Sequence, residues 1–153
     1  MLKPKLSLKG RALRYLSMRE HSRLELARKL SPYVEEESEL ETLLTWLEDS
    51  KFLCNQRFTD SLVHKRQARF GNQKILAELQ GHQLDKDDLA LVKDELQLTE
   101  SQRAIDVLWR KFPSAPLNHQ EKMKQMQFLA QRGFTSRAID HAIRASREDH
   151  EFP

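Results

Sequence analysis

The stretch that decides the fold spans residues 22–47, which read SRLELARKLSPYVEEESELETLLTWL. It holds two runs of apolar residues at helical spacing, separated by Ser31 and Pro32. Proline fixes φ and lacks an amide donor, so it ends the first helix. Leu30 and Leu40 flank this break, ten residues apart. The stretch therefore predicts two helices joined by a short turn.

The same arrangement recurs twice further along the chain, at a period of about fifty residues, which is typical of repeat proteins. Each recurrence has two apolar residues ten apart around a glycine: Leu79 and Leu89 around Gly81, and Leu129 and Ile139 around Gly133. Glycine readily adopts the left-handed conformation that follows a helix end. Each copy is therefore predicted to contain a helical pair.

A further helix is expected before each pair, at about residues 8–19, 56–69 and 100–112. We therefore predict an all-α fold, a tandem array of three three-helix bundle repeats that is elongated or curved. The three repeats are assigned to the following ranges: 1–53, 54–97 and 98–153.

Capping signals mark four expected helix starts, because a side-chain oxygen can accept from a free amide of the first turn. The pairs are Ser22 with Glu25, Ser38 with Glu41, Thr99 with Gln102, and Asn118 with Glu121. Trp46 and Trp109 lie beside leucines on apolar faces, so we expect both in the core.

Composition supports helices and excludes several classes of protein. The 153 residues include only 4 glycines and 5 prolines, with 39% hydrophobic and 32% charged residues. No apolar run approaches the roughly 20 residues that cross a bilayer, and no secretory signal is apparent. Cys54 is the single cysteine, so no internal disulfide can form. We expect a cytoplasmic protein without membrane contact.

No motif for catalysis or metal binding is present. The sequence lacks a glycine-rich phosphate loop, a nucleophile elbow and a His or Cys spacing suited to zinc. Its six histidines are scattered. We therefore predict that the protein is not an enzyme and needs neither metal nor cofactor.

Charge is sorted along the chain, although the total is only +3. Residues 1–34 carry a net +7 and residues 35–50 a net −7, and then residues 51–81 carry +4 and residues 82–100 carry −4. Long single-sign segments suggest steering towards charged partners. The alternative interpretation is that the acidic helix only solubilises the protein and pairs with its own basic helices.

A basic cluster surrounds Phe70 in the second copy: Lys65, Arg66, Arg69 and Lys74. It stands next to a helix start expected at Asn72. Free amides at a helix N-terminus favour anions, so this place would suit a phosphate or an acidic protein surface.

Several short segments in all three copies share their order and spacing with one protein family. They are Glu20-His21-Ser22, Glu25-Leu26 and Lys29-Leu30; Arg57-Phe58; Arg66, Arg69, Phe70-Gly71, Ile75 and Glu78-Leu79; and Lys122, Lys124, Phe128-Leu129 and Arg132-Gly133-Phe134.

Taken together, these segments resemble the RecX family of regulators of the bacterial recombinase RecA. The resemblance covers most of residues 11–145. One departure is the Cys54-Asn55-Gln56 turn, where the family commonly carries two acidic residues. Asn55 can still cap a helix there.

The resemblance implies a monomeric inhibitor that binds in the groove of the RecA filament on single-stranded DNA. It would restrain filament extension, ATPase, strand exchange and coprotease activities. The residues expected to bind the partner or DNA form a basic face: Arg57, Lys65, Arg66, Arg69, Lys74, Lys122, Lys124 and Arg132.

Two other functions remain open from the residues alone. The pI of about 9.1 and the short helical units also fit a nucleic-acid-binding module that acts without RecA. A chaperone-like or scaffold protein for acidic partners is the third alternative.

Overall fold

A computed structural model describes residues 5–145 and 147 of the chain. Over these residues the protein is all-α, as predicted, and it has eight α-helices and one 3-10 turn. The elements are α1 (Leu8–Met18), α2 (Arg23–Leu30), the 3-10 turn (Ser31–Tyr33), α3 (Glu37–Asp49), α4 (Asn55–Gln67), α5 (Asn72–Gln80), α6 (Lys86–Lys111), α7 (His119–Gln131) and α8 (Ser136–Arg144).

The chain divides into two compact units. The first comprises Met1–Leu62 with His82–Leu84, and the second comprises Val63–Gly81 with Asp85–Pro153. The boundary falls inside α4. Among the described residues, no helix is both long and apolar enough to cross a membrane.

The core of the first unit is built from leucines that recur every three or four residues on α2 and α3. Leu26 and Leu30 face inward from α2, and Leu40, Leu44 and Leu47 do so from α3. This spacing gives each helix one apolar face, which is removed from water by packing against the other. The helical pair predicted from residues 22–47 is therefore present.

The core of the second unit is centred on the C-terminal half of α6. Leu108 of α6 is fully buried, as is Leu129 of α7, and Ile139 and Ala142 of α8 pack with them. Trp109 is buried in the same cluster, as expected. Leu129 and Ile139, the two apolar residues that flank the break in the third copy, thus lie in one core.

Two of the four predicted helix starts are confirmed. The hydroxyl of Ser22 accepts from the amide of Glu25 at the start of α2, and the amide oxygen of Asn118 accepts from the amide of Glu121 at the start of α7. The prediction for Ser38 is wrong, because α3 already begins at Glu37.

Helix α6 is one continuous helix of 26 residues, so the helix start predicted at Thr99 is also wrong. The Thr99 hydroxyl donates to the carbonyl of Leu96 at 3.4 Å and accepts from Arg103 Nε at 3.0 Å. A threonine can make such bonds within a helix as well as at its start. Residues 86–111 contain no glycine or proline that would end the helix.

Two side chains lie elsewhere than the sequence suggested. Trp46 is 38% exposed on α3, so its assignment to the core is wrong. Its indole instead lies beside Phe52, with ring centroids 5.8 Å apart. Asn55 does cap a helix, but the helix is α2: its side-chain oxygen accepts from the amide of Arg23 at 2.9 Å.

Candidate partner-binding site

Three cationic side chains surround the ring of Phe70 in the second unit. The charged groups of Lys74, Arg132 and Arg69 lie 5.2, 5.5 and 5.9 Å from its centroid. No carboxylate within the described residues forms an ion pair with any of the three. We call the ring of Phe70 and the side chains of Arg69, Lys74 and Arg132 the Phe70 cluster. Because its three positive charges lie close together and are not neutralised by these carboxylates, the cluster attracts anions. A half-buried ring among cations also offers a face for a planar group.

Two glycine turns bring the cluster together. The amide of Gly71 donates to the carbonyl of Arg132 at 2.8 Å, and the amide of Gln73 donates to the carbonyl of Gly133 at 3.0 Å. A Cβ added to Gly71 would lie 2.3 Å from the backbone nitrogen of Phe134. Only glycine permits this approach, which places Arg132 against Phe70 although they are far apart in sequence.

The Arg132-Gly133-Phe134 segment ends α7 in the expected way. Gly133 has a φ of +89°, and the amide of Phe134 donates to the carbonyl of Leu129 at 3.2 Å. This is the Schellman arrangement, in which the residue after the glycine is typically apolar. The helix end predicted at Gly133 is therefore confirmed, and the buried side chain of Phe134 supplies the apolar contact that follows it.

A buried carboxylate holds the helix start beside the cluster. Glu100 of α6 is 6% exposed, and its Oε2 accepts from the amide of Asn72 at 2.9 Å. Its Oε1 accepts from the hydroxyl of Thr135, the N-cap of α8, at 2.6 Å. The amide of Asn72 therefore already has an anionic acceptor within the protein, and the binding of an outside phosphate or acidic surface by the cations beside it stays a prediction.

Arg103, one turn along α6 from Glu100, fixes the backbone at Phe70. Its guanidinium donates to the carbonyl of Phe70 at 3.0 Å, to that of Leu96 at 3.2 Å and to the side chain of Asn72. Burial lowers its pKa, and Glu100 opposes that shift. Arg103 thus positions the ring while its own charge is turned inward.

Neither Glu100 nor Arg103 was among the residues predicted for the site. A signal was present: two charged residues three apart lie on the face of a helix whose other members, Leu96 and Ala104, are apolar. Charged residues on an apolar face are buried only when they are paired or hydrogen-bonded.

Arg66 and Glu78 form one wall beside the Phe70 cluster. The guanidinium binds the carboxylate with two bonds, Nε to Oε2 at 3.0 Å and Nη2 to Oε1 at 3.1 Å. This hydrogen bond raises the pKa of Arg66. With Phe70, Lys74 and Ile75 the pair lines a cavity of about 370 Å³. Arg66 is therefore less available to an outside anion than the three cations at the ring.

The remaining predicted residues do not join the cluster. Lys65 is exposed on α4, and Lys122 and Lys124 are exposed on α7. Arg57 belongs to the first unit, where its Nε donates to Glu20 at 3.0 Å and its Nη2 donates to the carbonyl of Phe52 at 3.2 Å. Of the eight predicted residues, the structure thus brings Arg69, Lys74 and Arg132 to one ring.

The acidic segment is only partly neutralised by the protein itself. Of the seven carboxylates in residues 35–50, Glu41 and Glu48 pair with Arg23, at 2.8 and 2.6 Å. The other five form no ion pair with the described residues. Internal pairing therefore accounts for a minority of the acidic charge.

The described residues contain no group of three or more His, Cys, Asp and Glu side chains placed to hold a metal ion. Cys54 is half-buried, and its sulfur accepts from the amide of Arg57 at 3.5 Å at the start of α4. Its observed contact is thus a structural one.

Comparison with known proteins gives consistent results across the chain. Residues 99–143 match the family described as RecX, third three-helix domain. "Regulatory protein RecX" of Herbaspirillum seropedicae is 52% identical over all of this chain and 99% of that protein. The protein of the same name in Herminiimonas arsenicoxydans is 50% identical over 99% of this chain and its own full length.

A solved structure extends the similarity to the fold. The crystal structure of RecX from Lactobacillus salivarius aligns with a TM-score of 0.68, covering 89% of this chain and 92% of its own, at 23% identity. Its agreement supports the helical repeat arrangement. Since two relatives share half or more of their residues with the full length of this chain, the chain belongs to the RecX family of regulatory proteins.

Proposed function

We propose that this protein binds the filament that RecA forms on single-stranded DNA and inhibits it. It would lie in the filament groove as a monomer and restrain extension, ATPase, strand exchange and coprotease activities. The proposal rests on membership of a family of regulatory proteins named RecX. The observation that carries it in the structure is the Phe70 cluster, whose three cations form no ion pair with a carboxylate of the described residues.

The chemistry of the cluster suits a nucleoprotein surface. Arginine and lysine contact phosphates regardless of sequence, and an aromatic ring can stack on an unpaired base. Arg103 donates to the carbonyl of Phe70, and Glu100 accepts from the first amide of α5. These two bonds fix the backbone that carries the ring and Lys74. A binder of filaments needs this sequence tolerance, because its target varies in base sequence.

The test is a titration of RecA-driven ATP hydrolysis on single-stranded DNA. We expect wild-type protein to inhibit hydrolysis at well below one copy per RecA subunit. The variant with Arg69, Lys74 and Arg132 all changed to Ala should need on the order of tenfold more protein, because three phosphate or carboxylate contacts are lost.

The matched control carries the same loss of charge elsewhere on the second unit. Lys93, Arg110 and Arg137 are exposed on α6 and α8, so their joint change to Ala keeps the net charge of the two variants equal. Inhibition should remain close to wild type in this control. A flat titration with wild-type protein would remove the proposed function, and equal inhibition by both variants would remove the Phe70 cluster from it.

A second candidate function is direct binding of nucleic acid without RecA, and the Phe70 cluster favours it as well. An oligonucleotide without recombinase separates the two. Tight binding to bare single- or double-stranded DNA at physiological salt, with no effect on RecA, would favour direct nucleic-acid binding as the function.

A further inference from the structure

The N-terminal half of α6 carries a row of exposed side chains on the side away from its buried residues. At about 100° per residue, six positions between 87 and 98 lie within about 60° of the line through Leu91. Val92 and Leu96, which are buried, lie about 100° and 140° around the helix from that line. All six positions are exposed, and we call them the outer face of α6: Asp87, Asp88, Leu91, Asp94, Glu95 and Leu98.

Two leucines form the apolar part of the outer face. Leu91 is 63% exposed and Leu98 is 87% exposed. They are seven residues apart, so they lie in line, about 10 Å from each other along the helix axis. A single exposed leucine is common at a protein surface, whereas two leucines in line have the spacing at which one helix recognises another.

The other four members of the outer face are carboxylates. None of them forms an ion pair with another of the described residues. Lys86 and Lys93 belong to the same stretch of α6, but they lie about 140° and 160° around the helix from Leu91. The two leucines therefore stand among negative charges that no ion pair neutralises.

We propose that the outer face of α6 docks a helix of a partner protein, one with a row of apolar side chains and with lysines or arginines on both sides of that row. The apolar side chains would pack between and beside Leu91 and Leu98, as the side chains of two packed helices interdigitate. The cations of the partner would reach the carboxylates at positions 87–88 and 94–95.

The same charges disfavour other occupants. A second copy of this chain would bring two sets of four carboxylates together, and like charges repel. The phosphates of nucleic acid and of anionic lipids would be repelled in the same way. The outer face contains no residue of the Phe70 cluster, so the inference is independent of the proposed function.

The test uses a fluorescein-labelled peptide of about 18 residues, which form about five helical turns. Leucine occupies every third or fourth position of this peptide, and lysine occupies the others. Fluorescence anisotropy is followed as the full chain is added, in parallel with a peptide in which glutamate replaces every lysine. We expect saturable binding of the lysine peptide and no binding of the glutamate peptide.

A matched pair of variants locates the apolar contact. Leu98 and Leu117 are both 87% exposed, but only Leu98 lies on the outer face. Leu98→Gln should weaken binding of the lysine peptide about tenfold, because an apolar contact is lost, and Leu117→Gln should weaken it less than about twofold. Both side chains are exposed, so circular dichroism should show the helicity of the wild type.

A second pair locates the charge. Asp94→Lys reverses a charge on the outer face, and Asp140→Lys reverses an exposed charge on α8. Asp94→Lys should weaken binding of the lysine peptide about fivefold, and Asp140→Lys less than about twofold, because only the first lies beside the docked cations.

Four results would contradict the proposed docking. Absence of saturable binding by the lysine peptide would remove the site, and equal binding of the two peptides would remove charge from the recognition. Equal weakening by both members of either pair would place the binding away from the outer face. Self-association of the chain in a sedimentation experiment, abolished by Leu98→Gln, would assign the face to a second copy.

Discussion

Replacing Glu100 by Ala tests whether one buried carboxylate holds two helix starts in place. Glu100 accepts from the amide of Asn72 at 2.9 Å and from the hydroxyl of Thr135 at 2.6 Å, with a longer contact of 3.4 Å to the amide of Thr135. Alanine removes all three acceptor contacts and leaves the buried amide of Asn72 without its acceptor. The guanidinium of Arg103 also loses its neighbouring negative charge.

The expected loss of stability can be worked out from these contacts. A hydrogen bond to a charged group contributes about 1.5 to 3 kcal/mol, and breaking a buried charged network by removing one partner costs about 3 to 5 kcal/mol. We expect Glu100→Ala to lower the free energy of unfolding of the second unit by about 3 to 5 kcal/mol. Glu100→Gln keeps one acceptor and the side-chain volume, so its cost should be smaller.

The assay must report on the second unit alone. Trp109 is buried in that unit and Trp46 is exposed in the first, so a Trp46→Phe background leaves Trp109 as the single tryptophan. Urea unfolding followed by Trp109 fluorescence gives the free energy by linear extrapolation. Glu95→Ala, an exposed change on the same helix, is the control and should shift stability by less than about 0.5 kcal/mol.

A Glu100→Ala protein within about 1 kcal/mol of its parent would refute the reasoning. It would mean that water or a backbone shift satisfies the amide of Asn72 as well as the carboxylate does. A large loss with Glu95→Ala as well would show that α6 responds to any substitution.

Three further predictions concern stability. Gly71→Ala should lower the free energy of unfolding by more than about 3 kcal/mol, because its Cβ would meet the backbone of Phe134 at 2.3 Å. Gly81→Ala is the control in the same urea assay. Its Cβ would have its nearest contact at 3.4 Å, so the free energy of unfolding should change by less than about 1 kcal/mol. Leu79→Ala should cost about 2 to 5 kcal/mol in a thermal melt, because this leucine is fully buried, and a melt like wild type would contradict that. His21 is buried and burial lowers its pKa, so the unfolded chain takes up the proton first and stability should fall as pH drops below about 6.5. His21→Gln should reduce this fall, which is measured as the change in melting temperature between pH 7.5 and 5.5. An unchanged pH dependence in the variant would assign the fall to other groups.

Local periodicity was enough to predict most of the helices and their inward faces. Leu26, Leu30 and Leu79 are buried where the pattern placed them, because a three- or four-residue spacing defines a helix face whatever the neighbours are. The break residues were equally informative. Gly133 adopts the left-handed conformation at the end of α7, as expected of a glycine that follows a helix end.

The failures share a different cause. Serine and threonine bond to the backbone within helices as well as at their starts, so Ser38 and Thr99 carried an ambiguous signal. Trp46 was expected in the core because leucines flank it, but a helix turns by about 100° per residue, so adjacent residues face different ways.

For the candidate site, the cationic residues could be predicted from the sequence, but their arrangement around one ring could not. Arg69 and Lys74 lie close to Phe70 in the chain, and their proximity could be read directly. Arg132 joins them through the contact of two glycine turns, which no local pattern reveals. The alternation of basic and acidic segments is a feature of the sequence, and its role in partner binding stays a prediction.

The unbroken course of α6 has a consequence for engineering the chain. At 1.5 Å per residue its 26 residues extend about 39 Å, and the stretch matched as a third domain begins at residue 99, midway along it. One amino acid inserted after Gln97 would rotate everything downstream by about 100° against the part upstream, which would move Glu100 off the helix face that it shares with Leu96. A cut at the expected boundary before Leu98 would therefore divide one continuous helix, whose start is capped by the side chain of Asp85.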